Sequence, residues 1–397
     1  MAGIRPIARW FFAAAVIGIV VLAAAWVASR PIRPDAFFDA PADLPAQPGV
    51  LLRHESYSKA VPQGARAWRI LYTTTHADNS PAFASAVVMV STTAAGAPRP
   101  VVAWAHGTTG IEPGCAPSLT APFANVPAVE AILREGWAYV ATDYVGLGTA
   151  GRHAYLIGDE AARSVLDAVR AAGHLEGLLL DRRAVVWGHS QGGNSALWTG
   201  ARAPGYASDV QIAGVAALAP ATELDALLQA SQGTMFGKIV SSYLVRAYSA
   251  AYPEIDAASY VGALARPLVA DIAARCVGGW STLFSVVETV LLPAAGIFTT
   301  DPTHGPLGER LRQNTPFLPV EAPILIAQGA SDDVVSPEVQ TRFVAVRCAA
   351  GQPIDYRLYR ERDHVSLVAN HPAIDADLIA WTRDRLAGRP ATPNCGR

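Results

Sequence analysis

From Trp10 to Ala28 the chain runs for 19 residues without a charged side chain. A helix over that run is about 28 Å long, close to the ~30 Å hydrocarbon core of a bilayer. Arg5 and Arg9 precede it, which predicts a cytoplasmic N-terminus and export of everything that follows. Residues 1–30 are therefore read as a single-pass membrane anchor or a secretion signal. Cleavage sites are on offer at Ala23-Ala24-Ala25 and Val27-Ala28-Ser29. The anchor is preferred, because a cleaved signal usually has a shorter apolar stretch of ~7–15 residues.

Five prolines between Arg30 and Gly49 mark a linker over 31–49. Beyond it, strand-like and helix-like segments alternate. Trp68–Thr75 and Ala84–Val90 form the arms of an antiparallel pair around a turn at Asp78-Asn79-Ser80-Pro81. Short apolar runs at Pro100–Ala105, Gly136–Thr142, Ala184–Trp187, Ile212–Leu218, Ile324–Ala327 and Ile354–Tyr359 read as buried strands. Helical spacing falls at Asp159–Ala172, Pro337–Cys348 and Pro372–Leu386. This rhythm predicts an α/β fold whose mostly parallel central sheet is covered by helices on both faces. The rhythm breaks between about 221 and 320, where apolar helical stretches occupy Phe236–Ala250 and Trp280–Phe298. A block that long is a lobe and not a loop. The expected organisation is thus a body of 50–220 and 321–390 with 221–320 inserted as a mainly helical lid.

Composition narrows the function. Of 397 residues, 51% are hydrophobic and 16% charged, well under the ~25% charged of an ordinary globular chain, so global disorder is excluded. A formal charge of −2 leaves no electrostatic footprint for nucleic acid. All four cysteines (Cys115, Cys276, Cys348, Cys395) follow the apolar run, without a CxxC spacing. Two disulfides in an oxidising compartment is the economical reading, with three pairings open.

Gly188-His189-Ser190-Gln191-Gly192 matches G-x-S-x-G between a predicted strand and a helix over Asn194–Ala201. There a tight turn lifts a serine hydroxyl above the sheet, and the flanking glycines let neighbouring backbone approach. Serine needs a histidine to take its proton, and the histidine needs a carboxylate to fix its tautomer. In α/β-hydrolases the order along the chain is Ser, Asp or Glu, His. His304 falls in the lobe and His371 at a helix start, whereas His364 lies on the loop after the last predicted strand and is the expected base. The loop after Ile324–Ala327 offers Asp332 and Asp333. Asp332, three residues after Gly329 and three before Val335, is the expected acid; Asp333 is read as a turn residue and Asp363 as a solvated neighbour. For the oxyanion, the Gln191 N–H and the Thr108 N–H in His106-Gly107-Thr108-Thr109-Gly110 are the expected donors. Gly146-Leu147-Gly148-Thr149-Ala150-Gly151 fits G-x-G-x-x-G, but the next helix begins only near Asp159, so no dinucleotide site is expected. No cofactor and no metal are expected.

Taken in order, HGTTG at 106–110, DYVGLGT at 143–149, GHSQGG at 188–193 and QGASDDVVSP at 328–337 resemble the secretory lipase family of α/β-hydrolases. The resemblance runs from about Asp35 to Leu386 and includes the stretch Phe37–Arg53. It implies a Ser190, Asp332, His364 esterase with a lid, acting on small lipophilic carboxylic esters. It also implies the pairs Cys115–Cys276 and Cys348–Cys395. Two departures stand out: His189 and Gln191 flank the serine as in many esterases and peptidases, and the N-terminal run is anchor-like. A serine peptidase or acyltransferase on the same fold, and an inactive membrane-tethered binding protein, are the competing readings.

Overall fold

The computed structural model describes the backbone of residues 4–395 apart from Ala42, Ala94, Ala95 and Asn370. It describes side chains from Trp10 onward, Phe11 and those four excepted. The apolar run forms helix α1 (Ile4–Ala28), with its described side chains largely exposed. The expected transmembrane helix is corrected here: among the described residues no helix is long and apolar enough to cross a membrane. Phe11, within the run, and Arg5 and Arg9, which oriented the expected anchor, have side chains outside the described ones. What is described is an exposed apolar helix whose end is packed on the body. Ser29 is buried and donates to the Trp26 carbonyl, 2.7 Å.

The proline-rich stretch after it does not hang free. Phe37 and Phe38 are buried, and Arg69 pairs with Asp35 at 2.8 Å. Strands β1 (Leu51–Tyr57), β2 (Ala65–Thr75) and β3 (Pro81–Ser91) follow as an antiparallel meander. The hairpin closes where expected, with Thr75 opposite Pro81. Asp78 accepts from the Ser80 N–H, 2.9 Å, and Asn79 adopts φ 65°, the local bonding and left-handed tolerance that favour these residues in turns. β1 was not expected as a strand: its sequence mixes Arg53, His54 and Glu55 into an edge position, so it lacks the apolar run that betrays the inner strands.

Next come β4 (Arg99–Ala105), α2 (Val129–Arg134), β5 (Ala138–Thr142), α3 (Gly158–Ala172), β6 (Leu180–His189), α4 (Gln191–Tyr206) and β7 (Gln211–Leu218). Helices α5 (Leu224–Ser231), α6 (Met235–Ala251), α7 (Ala257–Tyr260), α8 (Arg266–Ala273), α9 (Gly279–Leu291) and α10 (Gly305–Gln313) then intervene before β8 (Ile324–Gly329), α11 (Pro337–Ala349), β9 (Ile354–Tyr359) and α12 (Pro372–Leu386). The sheet order is β1-β2-β3-β5-β4-β6-β7-β8-β9. From β5 to β9 all neighbours run parallel, while β3 meets β5 antiparallel. This is the α/β-hydrolase fold, a mostly parallel mixed sheet.

Side chains of the central strands are buried on both faces. One face packs Val101, Val186 and Val215 with Val165, Leu166 and Leu197 of α3 and α4; the other packs Trp104, Trp187 and Leu325 with Leu378 and Trp381 of α12. A third cluster joins Leu228, Tyr243, Tyr248 and Ile272 to Tyr155, Leu156, Val335 and Val339. It therefore seats α5–α10 over the C-terminal ends of the strands, where a doubly covered sheet places its ligands. The expected helix Trp280–Phe298 ends instead at Leu291. Pro293 forces the preceding Leu292 to an extended ψ of 156°. The structure joins Cys115 to Cys276 and Cys348 to Cys395.

Candidate active site

The site starts from a steric constraint at the junction of β6 and α4. Ser190 sits between them with φ 57° and ψ −119°, a conformation unfavourable for a side-chain-bearing residue. A Cβ on Gly188 would fall 1.9 Å from the Gly192 carbonyl oxygen, and one on Gly192 1.9 Å from that of Ala105. Both positions therefore require glycine. The turn is tied to the sheet by the Ser190 N–H, which donates to the Leu218 carbonyl at 3.0 Å.

β8 and β9 bring the second half of the site. His364 Nδ1 lies 2.9 Å from Asp332 Oδ2, with both side chains buried. The other Asp332 oxygen accepts from the N–H groups of Val334 (2.9 Å) and Val335 (2.8 Å). Oδ2 also accepts from Gln328 Nε2 at 3.0 Å. Asp332 is thus held from three sides and aimed at the histidine. Asp363 instead caps its own loop, accepting from the Val365 and Ser366 N–H groups. His304 pairs with Asp301 in the open, 3.0 Å away. His189 Nε2 donates to the His364 carbonyl at 2.9 Å, and the two rings lie 4.6 Å apart. Burial, and then the neighbouring His364, push the His189 pKa well down, which keeps that ring neutral.

Two cavities meet at Ser190. A narrow one of about 50 Å³ is walled by Tyr155, Leu156, Leu224, Leu228, Phe236 and Val335. A wider one of about 510 Å³ is bordered by Gly107, Thr108, Val277, His364 and Val365. Thr108 and Ser190 line both. A still larger groove of about 800 Å³ around Arg99 and Arg134 lies apart from these residues. The loop carrying Thr108 is fixed by the Thr108 hydroxyl to the Tyr155 hydroxyl, 2.8 Å, and by the Val277 N–H, which donates to the Thr109 carbonyl at 2.8 Å. Gln191 begins α4, and its side-chain Nε2 donates to His153 Nε2, 3.2 Å. The structure therefore brings Ser190, His364, Thr108 and Gln191 around one pair of cavities, with Asp332 behind His364.

A family model described as secretory lipase matches residues 122–394. The chain belongs to the secretory lipase family. It is an ester hydrolase of the lipase kind. A secreted triacylglycerol lipase of Malassezia globosa (LIP2) is 25% identical over 362 residues, covering 83% of this chain and 75% of that protein. Lipase 5 of Candida albicans is 30% identical over 145 residues, covering 33% of this chain and 30% of that protein. Among solved structures, Candida antarctica lipase A in its closed state matches with TM-score 0.75 and 19% identity, covering 91% of this chain and 88% of that one. The rice cell wall degrading esterase LipA from Xanthomonas oryzae gives 0.67 and 20%, covering 86% and 99%. These two likenesses concern the fold alone.

Within this family member, Gln328, His153 and Tyr155 were missed as site residues by the sequence reading. Gln328, next to last in β8, is the one polar side chain of that strand, and a lone buried amide there is a signal that a buried partner waits for it. His153 and Tyr155 carry no motif; their place depends on the long loop between β5 and α3. Gly146 and Gly148, the glycines of the apparent dinucleotide pattern, shape that loop. A Cβ on Gly146 would fall 2.4 Å from the Arg152 backbone.

Proposed function

We propose that the chain hydrolyses lipophilic carboxylic esters through an acyl-enzyme on Ser190. The observation that carries this is the 2.9 Å contact of His364 Nδ1 with Asp332 Oδ2, in a cavity that His364 shares with a Ser190 held on a left-handed turn. Asp332 keeps the His364 proton on Nδ1, which leaves Nε2 free to take the Ser190 proton. The deprotonated oxygen attacks the ester carbonyl, and the N–H groups of Thr108 and Gln191 receive the oxyanion. Collapse expels the alcohol, which takes its proton from His364 Nε2. Water, deprotonated by the same nitrogen, then attacks the acyl carbonyl, and Ser190 leaves with the proton.

The uncharged walls of the narrow cavity favour an apolar acyl chain there. Residues 50–220 and 321–390 act as the catalytic body in this reading, and 221–320 as a lid over Ser190. Export fits a secretory family and two disulfides. The test is labelling by a fluorophosphonate, expected in the wild type and lost in Ser190→Ala; an unlabelled folded wild type refutes the mechanism. Hydrolysis of p-nitrophenyl esters, in preference to peptide amides and without diversion to added alcohol, separates ester hydrolysis from peptidase and acyltransferase chemistry.

A further inference from the structure

The loop between β5 and α3 carries two buried polar side chains, His153 and Tyr155, that the proposed mechanism leaves without a task. Two positions apart, each reaches one of the two residues whose N–H groups that mechanism assigns to the oxyanion. The Tyr155 and Thr108 hydroxyls are bonded at 2.8 Å. Gln191 Nε2 donates to His153 Nε2 at 3.2 Å. Thr108 lies just beyond β4, and Gln191 opens the helix that follows β6. One loop from a third strand therefore contacts both.

These bonds have a fixed sense. His153 Nδ1–H donates to the Val145 carbonyl at 3.1 Å. The neutral ring then has its lone pair on Nε2, which selects the end of the Gln191 amide that faces it. Burial lowers the His153 pKa to about 3, in keeping with a neutral ring. Gln191 is buried, and its Oε1 finds no partner among the described residues. A buried amide left half unsatisfied costs stability; the one bond it keeps orients the first residue of α4.

The loop is itself braced. The His153 ring stacks on Tyr144, with centroids 5.8 Å apart and planes 25° from parallel. The Tyr144 hydroxyl donates at 3.1 Å to the carbonyl of His106, two residues before Thr108. Tyr155 meets Tyr243 of α6 edge-on at 6.0 Å. The chain returns on itself at Gly146 (φ 81°), where a Cβ would fall 2.4 Å from the His153 nitrogen. The apparent dinucleotide pattern thus serves a steric purpose: it lets the chain fold back so that His153 faces Gln191.

We infer that His153 and Tyr155 are positioning residues that set the separation of the two oxyanion donors, Tyr155 through Thr108 and His153 through Gln191. The inference rests on the proposed acyl-enzyme mechanism. Donors aimed at a developing charge act in the transition state, so displacing one lowers kcat and spares KM. Tyr155 also walls the narrow cavity, so the test removes its hydroxyl and keeps its ring.

Kinetics of the full chain with p-nitrophenyl esters test this. Tyr155→Phe and His153→Phe should each lower kcat about tenfold with KM within about twofold, short of the roughly 10²- to 10³-fold loss of a whole donor. Gln191→Met breaks the same bond from its other end and keeps the backbone N–H at 191. It should match His153→Phe, and it decides the case if His153→Phe does not fold. His153→Gln restores an acceptor and should recover part of the rate. In the acyl-enzyme of a slowly hydrolysed cinnamoyl ester, the carbonyl stretch should rise in frequency in Tyr155→Phe and Gln191→Met, because the oxyanion site then bonds that oxygen more weakly. Lower melting temperatures with kcat and carbonyl frequency at wild-type values overturn the inference, since the two residues then only pack. A change confined to KM also overturns it. A wild type that neither hydrolyses esters nor labels with fluorophosphonate refutes the proposed function, and the inference with it.

Discussion

Replacing Cys115 and Cys276 by alanine removes the covalent tie between the loop of Thr108 and the lobe of α5–α10. The bridge spans a sequence separation of 161 residues. By chain entropy, closing a loop of that size in the unfolded state is worth about 5 kcal/mol, and the 47-residue Cys348–Cys395 loop about 4 kcal/mol. Stability alone thus barely separates the two bridges, and each double variant should melt on the order of 10 °C lower. Function should separate them. Cys276 adjoins Val277, whose N–H holds the Thr109 carbonyl, and a Cβ on Gly110 would already press on Cys115 Sγ at 2.6 Å. Without the bridge, the Val277 N–H bond to the Thr109 carbonyl and the packing of Ile111 remain to register the proposed oxyanion loop against α5–α10. Losing one oxyanion donor costs ~2.7–4 kcal/mol of barrier, so partial misplacement should lower kcat by about ten- to a hundredfold. Cys348 and Cys395 lie beside β9, away from Ser190, and Cys348→Ala/Cys395→Ala should keep kcat within about twofold. Melting curves with p-nitrophenyl ester kinetics below both transitions measure this. Equal kcat in the two double variants would refute the positioning role of Cys115–Cys276.

Gln328→Leu should lower kcat/KM by about tenfold or more, since a hydrogen bond to a charged group is worth ~1.5–3 kcal/mol. Unchanged kinetics in a folded variant would show that the Val334 and Val335 N–H groups suffice for Asp332. Gly192→Ala should yield a protein that folds poorly or labels weakly with fluorophosphonate, because its methyl meets the Ala105 carbonyl; normal labelling contradicts the close packing of the turn. Burial lowers the pKa of His106 to about 4 and that of His153 to about 3. Both are thus neutral in the fold, so their contribution is complete above the unfolded value near 6.5 and is lost as pH falls toward the folded values. Melting temperature should decline below about pH 6, with a shallower decline in His153→Gln; identical slopes would contradict a neutral buried His153. Burial raises Asp143 to about 6, which acts oppositely: stability drops as pH rises from about 4 through 6. Asp143→Asn should therefore gain on the wild type as pH increases, and a constant difference would refute this.

What could be read from the sequence divides along a physical line. The inner strands were legible because parallel strands buried on both faces must be continuous apolar runs, as Val101–Ala105 and Ala184–Trp187 are. β1 was not, since an edge strand needs no such run. Ser190 was legible because its backbone conformation demands glycine at 188 and 192, a local constraint that leaves a local motif. His364 and Asp332 were legible more weakly, through their order and their place after strands. The supports around them left less trace: Gln328, His153 and Tyr155 act through contacts made by the tertiary fold, and their roles depend on partners 4, 38 and 47 residues away. α1 shows the limit from the other side. Its apolar run is plain in the sequence, yet a run of that kind says only that water is avoided. That its end is clamped through Ser29 and Trp26 to Arg275 follows from contacts across some 246 residues. Contacts of that range leave no local trace in the run itself.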